Sequence, residues 1–214
     1  MTPAPVPAGF VRAHTAVRRP SSVPEVRLHV ADDVVALWEA MEGAPGGAGD
    51  APPFWAAAWP GGQALARFVL DAPERVAGRS VLDLGAGSGL VAVAAALAGA
   101  ARVLASDVDP YSRTAVGVNA GLNGVAGIGV LGDVLGHPLP PVDVVLAGDV
   151  CYDRAMTERV LPFLDRARAA GCDVYVGDPG RPYLPHGRLV EAAVYEIPET
   201  EGPGLRRTTV WRLP

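Results

Sequence analysis

The chain has 214 residues, a net charge of −5 and 50% hydrophobic residues, which fits one globular domain with a full core and excludes a disordered chain. No basic run is present, which argues against nucleic acid as the main partner, and no apolar run reaches membrane-spanning length. The two cysteines, Cys151 and Cys172, form neither a metal pattern nor a disulfide framework, and the first residues lack a basic n-region, so a metal-free cytoplasmic protein is expected. The basic residues besides histidine are all arginine, with no lysine, as in proteins from GC-rich genomes.

Taken in order, residues 1–9 are Pro/Ala-rich and read as a disordered tail. Residues 10–13 and 26–30 are candidate strands, with His14 and His29 as packing or surface positions rather than ligands. Asp32 or Asp33 caps a helix to about residue 42 whose apolar face is Val34, Leu37, Trp38 and Met41. Residues 43–53 are a Gly/Pro/Ala linker or mobile loop. Trp55 and Trp59 then precede Pro60-Gly61-Gly62. Trp55 reads equally as a hydrophobic plug or a pocket wall, Trp59 as a pocket wall, and a helix follows over 63–70.

The stretch Val81-Leu82-Asp83-Leu84-Gly85-Ala86-Gly87-Ser88-Gly89-Leu90 reads as a buried strand, a glycine turn and the start of an apolar helix. Glycines there let backbone approach a ligand, and the helix start offers free N–H groups. A dinucleotide fingerprint needs its third glycine at position 90, which is Leu90; the pattern is instead D-x-G-x-G-x-G. A second strand, 101–106, ends at Asp107, placed to accept both hydroxyls of a ribose. Asp109 caps a helix over 111–120, a third strand spans 127–131, and Asp133 beyond it can accept from an adenine amino group. A fourth strand, 142–147, ends in Asp149-Val150-Cys151-Tyr152, where parallel sheets place their sites. Cys151, without a histidine nearby, reads as packing. A helix over 154–170, started or kinked at Pro162, leads to a fifth strand over 173–177 and then Asp178-Pro179-Gly180-Arg181-Pro182. A helix over 187–193 and an antiparallel hairpin of 195–197 with 208–213 about Gly202-Pro203-Gly204 complete the chain.

The glycine turn resembles motif I of the class I, seven-β-strand S-adenosylmethionine-dependent methyltransferases. More specifically, the chain resembles the electron-transfer-flavoprotein β-subunit lysine methyltransferases and their bacterial relatives. The matching segments are Pro24 to Leu28, Pro53-Phe54-Trp55, Trp59 to Arg67, Val81 to Gly89, Ala105 to Pro110, Gly148 to Asp153 and Gly177 to Pro182. That resemblance implies an α/β, Rossmann-like sheet of order 3-2-1-4-5-7-6, strand 7 antiparallel, with helices on both faces. It implies one globular domain, with residues 1–53 leading into a methyltransferase domain over 54–214. It implies S-adenosylmethionine as cofactor, held by Trp59, Asp83, Gly85, Ala86, Gly87, Ser88, Gly89, Asp107, Val108, Asp133 and Asp149. Asp149 and Tyr152 form the Asp-x-x-Tyr element and orient the incoming amine; Trp55, Asp178 and Arg181 take the substrate. The implied partner is a protein, with the flavoprotein β-subunit as the candidate, and the enzyme is expected to be a monomer. Methylation of a small amine or nicotinamide-like base, and an NAD-linked or non-catalytic Rossmann protein, stay open as alternatives.

Overall fold

Apolar strands flanked by other strands are buried on both faces, and here they sit at the middle of a sheet. The computed structural model of the chain describes residues 6–43, 52–198 and 204–214. Among these residues the strands are β1 (Ala16–Arg18), β2 (Leu28–Val30), β3 (Ser80–Leu84), β4 (Arg102–Ser106), β5 (Gly129–Leu131), β6 (Val144–Gly148), β7 (Asp173–Asp178), β8 (Val190–Pro198) and β9 (Leu205–Arg212). The helices are α1 (Ala8–Ala13), α2 (Val34–Glu42), α3 (Pro60–Asp71), α4 (Leu90–Leu97), α5 (Pro110–Leu122) and α6 (Arg154–Ala169). The main sheet has seven strands in the order β5-β4-β3-β6-β7-β9-β8. Counted from β3 as the first strand, this is the expected 3-2-1-4-5-7-6. β3, β4, β5, β6 and β7 pair in parallel, and β9 runs antiparallel between β7 and β8.

Alternate residues of the central strands feed two cores. Val81 and Leu146 pack with α3, α4 and α5 through Leu65, Phe68, Val91, Val93 and Val116. Leu82 and Val145 pack on the other face with α6, through Val160, Phe163 and Leu164. α6 continues through Pro162, whose missing N–H removes one helical hydrogen bond without ending the helix. Among the described residues no helix is long and apolar enough to cross a membrane.

The amino-terminal segment lies on α5, and two side chains, one in its last turns and one at its carboxyl cap, fasten it. Asn123 accepts from the Arg27 N–H at 2.8 Å and donates to the Arg27 carbonyl at 2.7 Å, as a neighbouring strand would. One turn earlier, Asn119 accepts from the His29 N–H at 2.8 Å. These are the chain's two asparagines. Residues 10–13, expected as strand, lie in helix α1; Val11 buries and Phe10 sets its ring on Tyr111, 5.2 Å between centroids. The helix expected over 187–193 is also corrected. A short 3-10 turn at His186–Arg188 gives way to strand β8 from Val190, because pairing with β9 overrides the weak local preference of an Ala-Ala-Val run. The loop expected over 43–53 falls largely in residues 44–51, outside the described residues, as do residues 1–5 of the expected tail and 199–203 of the last turn.

The start of α3 crosses the ends of β6 and β7 at backbone contact. A Cβ on Gly61 would sit 2.2 Å from the Gly177 carbonyl oxygen, and one on Gly148 would sit 2.9 Å from Gly62 Cα. Gly61→Ala is therefore expected to destabilise the protein by about 1–3 kcal/mol through overpacking. Gly117, exposed within α5 with open space about it, is the control: its change to alanine should stabilise by about 0.5–1 kcal/mol. Urea unfolding of both variants measures the contrast.

Candidate active site

The carboxyl ends of β3, β4 and β6, with the start of α3, enclose a crevice of about 470 Å³. Parallel sheets collect ligand sites at this edge because the loops there diverge. Gly85 and Gly87 line it in the left-handed region, at φ 69° and 51°, which side-chain-bearing residues rarely adopt. The Gly85 and Ala86 N–H groups donate to the Ser106 carbonyl at 2.9 and 3.0 Å, tying the turn to the end of β4. Asp107 then locks the loop. One carboxylate oxygen accepts from the Gly87 N–H at 2.8 Å and the other from the Asp109 N–H at 2.9 Å. Burial raises the Asp107 pKa, and these hydrogen bonds oppose the rise.

Several residues expected to touch a cofactor support the loop from behind. Asp83 is buried, and its carboxylate accepts from the Ala92 N–H at 2.9 Å, fastening α4 to β3. Ala86 is held by Ser106, and the Ser88 carbonyl accepts from the Asn119 side chain at 2.8 Å. Gly89 packs on α5; a Cβ there would meet Val116 Cα at 3.1 Å. These four are not among the residues that line the crevice. Trp59, Gly85, Gly87, Asp107, Val108, Asp133, Asp149 and Tyr152 do line the crevice.

Asp133 accepts from the Leu135 N–H at 2.9 Å and pairs with Arg159 at 2.5 Å. Trp59 donates from its indole to the Phe54 carbonyl at 2.7 Å and meets the Phe54 ring edge-on at 5.8 Å. Phe54 and Tyr152, both about half exposed, lie 6.2 Å apart and form an aromatic rim. Trp55 lines the crevice too, but is wholly buried and stacks on Tyr111, centroids 6.2 Å apart. Its burial and stacking fit the plug reading, and it also contributes to the crevice lining.

Asp149 joins three segments. Among the described residues it is the one non-glycine with positive φ, 57°, a conformation costly for a side-chain-bearing residue. Its carboxylate accepts from the Gly62 N–H at 2.9 Å and from Arg181 Nη2 at 2.7 Å. Burial raises its pKa, the Arg181 guanidinium and the Gly62 N–H pull it down, and Asp178 pushes it up. Arg181 lines the crevice with its guanidinium on Asp149. The side chain of Asp178, expected at the substrate, is fully buried, accepting from the Gly180 and Arg181 N–H groups at 2.7 and 2.6 Å. Burial pushes the Cys151 thiol up to about 11, so it stays protonated and packs. Sequence reasoning missed Phe54 at the rim and the Gly62 N–H as a donor. The signal for Gly62 was present in two glycines at a helix start, where bare N–H groups face outward.

The sheet order, the antiparallel last strand and a glycine turn beside an acidic strand end define a class I methyltransferase. A family model described as ribosomal protein L11 methyltransferase (PrmA) matches residues 64–149. The electron transfer flavoprotein beta subunit lysine methyltransferase of Xenopus laevis is 36% identical over 220 residues, covering 98% of this chain and 88% of that protein. The protein of the same name from Rattus norvegicus is 40% identical over 168 residues, covering 74% of this chain and 66% of its own length. Among solved structures, an RNA methyltransferase from Salinibacter ruber in complex with S-adenosyl-L-homocysteine matches with a TM-score of 0.50 and 19% identity, over 71% of this chain and 91% of that one; the likeness is one of fold. The chain belongs to the family of electron transfer flavoprotein beta subunit lysine methyltransferases.

The buried Asp83 carboxyl has a testable consequence. Its pKa is raised from 3.8 to about 7, first by burial and also by Asp107, against the Ala92 N–H. A carboxyl with a raised native pKa contributes stability below its unfolded pKa and loses it as pH rises through the native value. Wild-type stability should thus fall between about pH 4 and pH 7. Asp83→Asn, which keeps an acceptor for Ala92, should show a shallower fall in chemical denaturation across that window.

Proposed function

We propose that the chain transfers a methyl group from S-adenosylmethionine to a lysine ε-amine of a protein, and that this protein is the β-subunit of an electron transfer flavoprotein. The observation that carries the reading is the Asp149 carboxylate, buried in the same crevice whose other wall is the Asp107-locked glycine loop. The crevice residues fit the cofactor. Two side-chain-free glycines give close approach, and about 470 Å³ lies within the range of small-molecule sites. The Asp107 carboxylate accepts from the Gly87 and Asp109 N–H groups and from the Ser112 side chain, and keeps acceptor capacity for a ribose hydroxyl.

When bound, S-adenosylmethionine supplies an electrophilic methyl group on a sulfonium. The protein's part is positioning and electrostatics. Gly85 and Gly87 bring backbone to the cofactor, and Asp107 orients its ribose. Trp59 and Val108 wall it, and Asp133, steadied by Arg159, accepts from the adenine amine. At the other side Asp149 accepts from the incoming nitrogen. The rings of Phe54 and Tyr152 give the lysine stem and its ammonium an aromatic passage. A free lysine has a pKa of about 10.4, so the amine must shed a proton before it attacks. A dry crevice next to a positive centre lowers that value. Tyr152 has its pKa raised by burial and by Asp153, and so stays a phenol that can hydrogen-bond the amine.

Asp107→Ala is expected to weaken S-adenosylmethionine binding by about 1–3 kcal/mol in calorimetry, the scale of lost charged hydrogen bonds. Asp149→Asn keeps an acceptor for Gly62 and should retain cofactor binding while losing most turnover. The assay is purified enzyme, labelled cofactor and the flavoprotein β-subunit. The chain itself has no lysine, so labelled methyl-lysine belongs to the target. Label that enters nicotinamide or a small amine, with none in any protein, would overturn the reading.

A further inference from the structure

Arg181 stands between two carboxylates on two loops. Its Nη2 donates to Asp149 at 2.7 Å, and its backbone N–H donates to Asp178 at 2.6 Å. Asp178 thus fixes the backbone from which the guanidinium reaches. Two atoms of the trio are buried without a hydrogen-bond partner, Asp178 Oδ2 and Arg181 Nε. One is an acceptor and the other a donor, and they lie 3.9 Å apart, just beyond hydrogen-bonding range. A buried carboxylate oxygen without a donor is costly, so the pair is poised to close.

We propose that Arg181 is a positioning residue for methyl transfer, a guanidinium with two acceptors that holds Asp149 in place and moves toward Asp178 when Asp149 engages the substrate ammonium. The proposal rests on the lysine-methylation reading. Both Asp149 oxygens are engaged, by Gly62 and by Arg181. An arriving ammonium brings three donors and a charge that repels the guanidinium. A movement of about 1 Å brings Nε within range of Asp178 Oδ2, so Arg181 can yield Asp149 without losing a partner. With both carboxyls ionised, Asp149, Asp178 and Arg181 carry one net negative charge, which the ammonium neutralises. The groups acting on Asp149 are Arg181 and Asp178 at the end of β7 and the Gly62 N–H from α3.

The test uses the full chain carrying Arg181→Gln, Arg181→Lys or Asp178→Asn. The Asp149 carboxyl is followed by ¹³C NMR and assigned by its absence in Asp149→Asn. Loss of the cation in Arg181→Gln should raise the Asp149 midpoint by about 1 pH unit or more. The acidic limb of kcat/KM should move up with it. Misplacement of the carboxylate should cut kcat about 10- to 100-fold, with the Kd for S-adenosylmethionine within about twofold of wild type. Arg181→Lys should restore part of the midpoint and the rate. Asp178→Asn should lower kcat without raising the Asp149 midpoint. An unmoved midpoint in folded Arg181→Gln overturns the proposal. So does cofactor affinity that falls in step with turnover, which would place Arg181 in the cofactor site. A wild-type enzyme that methylates no protein defeats the functional reading alone, and the NMR midpoint still decides whether Arg181 governs Asp149.

Discussion

Backbone-to-backbone contact between the start of α3 and the ends of β6 and β7 is the constraint on which this structure depends. It is possible only because Gly61, Gly148 and Gly177 bring no Cβ to it. Without that approach the Gly62 N–H could not reach Asp149. A helix start carries unsatisfied N–H groups and partial positive charge. Setting it on a buried carboxylate satisfies one of those donors and the acid at once. The strained backbone of Asp149 is the local cost of aiming that carboxylate into the crevice.

The same economy of donors recurs among the other buried acids. Asp83, Asp107 and Asp178 each have their pKa raised by burial, and each accepts from backbone N–H groups, Asp83 from α4, Asp107 from the glycine loop and Asp178 from its own loop. Asp149 differs in resting on a guanidinium as well as a backbone donor. The Arg181 guanidinium favours the ionised form of Asp149 against its burial, whereas backbone amides hold Asp83, Asp107 and Asp178.

The glycine loop is braced from outside the crevice too. Asn119 accepts from His29 in the amino-terminal ribbon and donates to the Ser88 carbonyl, so one buried amide joins the first strands of the chain to the turn after β3. Asn123 adds a strand-like pair with Arg27, and Arg27 reaches the Leu122 carbonyl. The amino-terminal segment is thereby part of the scaffold that sets the loop, a role its composition does not announce.

The order of alternating apolar runs and turns, the glycine pattern missing its third position at Leu90, and acids at strand ends were legible in the residues themselves. Period, turn chemistry and burial are local properties, and they sufficed for the alternation of strands and helices and for Asp107, Asp133 and Asp149 at strand ends, whereas the sheet order was implied by the resemblance. Resemblance, not periodicity, supplied the roles. Other features waited for the tertiary structure. Whether residues 10–13 and 190–193 coil or extend was decided by Tyr111 and by β9, partners distant in the chain. Which glycine-loop residues face the crevice and which face α4 or α5 depends on a left-handed turn that no spacing specifies. Asp178 and Arg181 read alike as site residues, yet only the fold sends one behind the loop and the other onto Asp149. Hydrogen-bond partners of a side chain are chosen by packing between elements, and a sequence records the donors and acceptors without recording which of them meet.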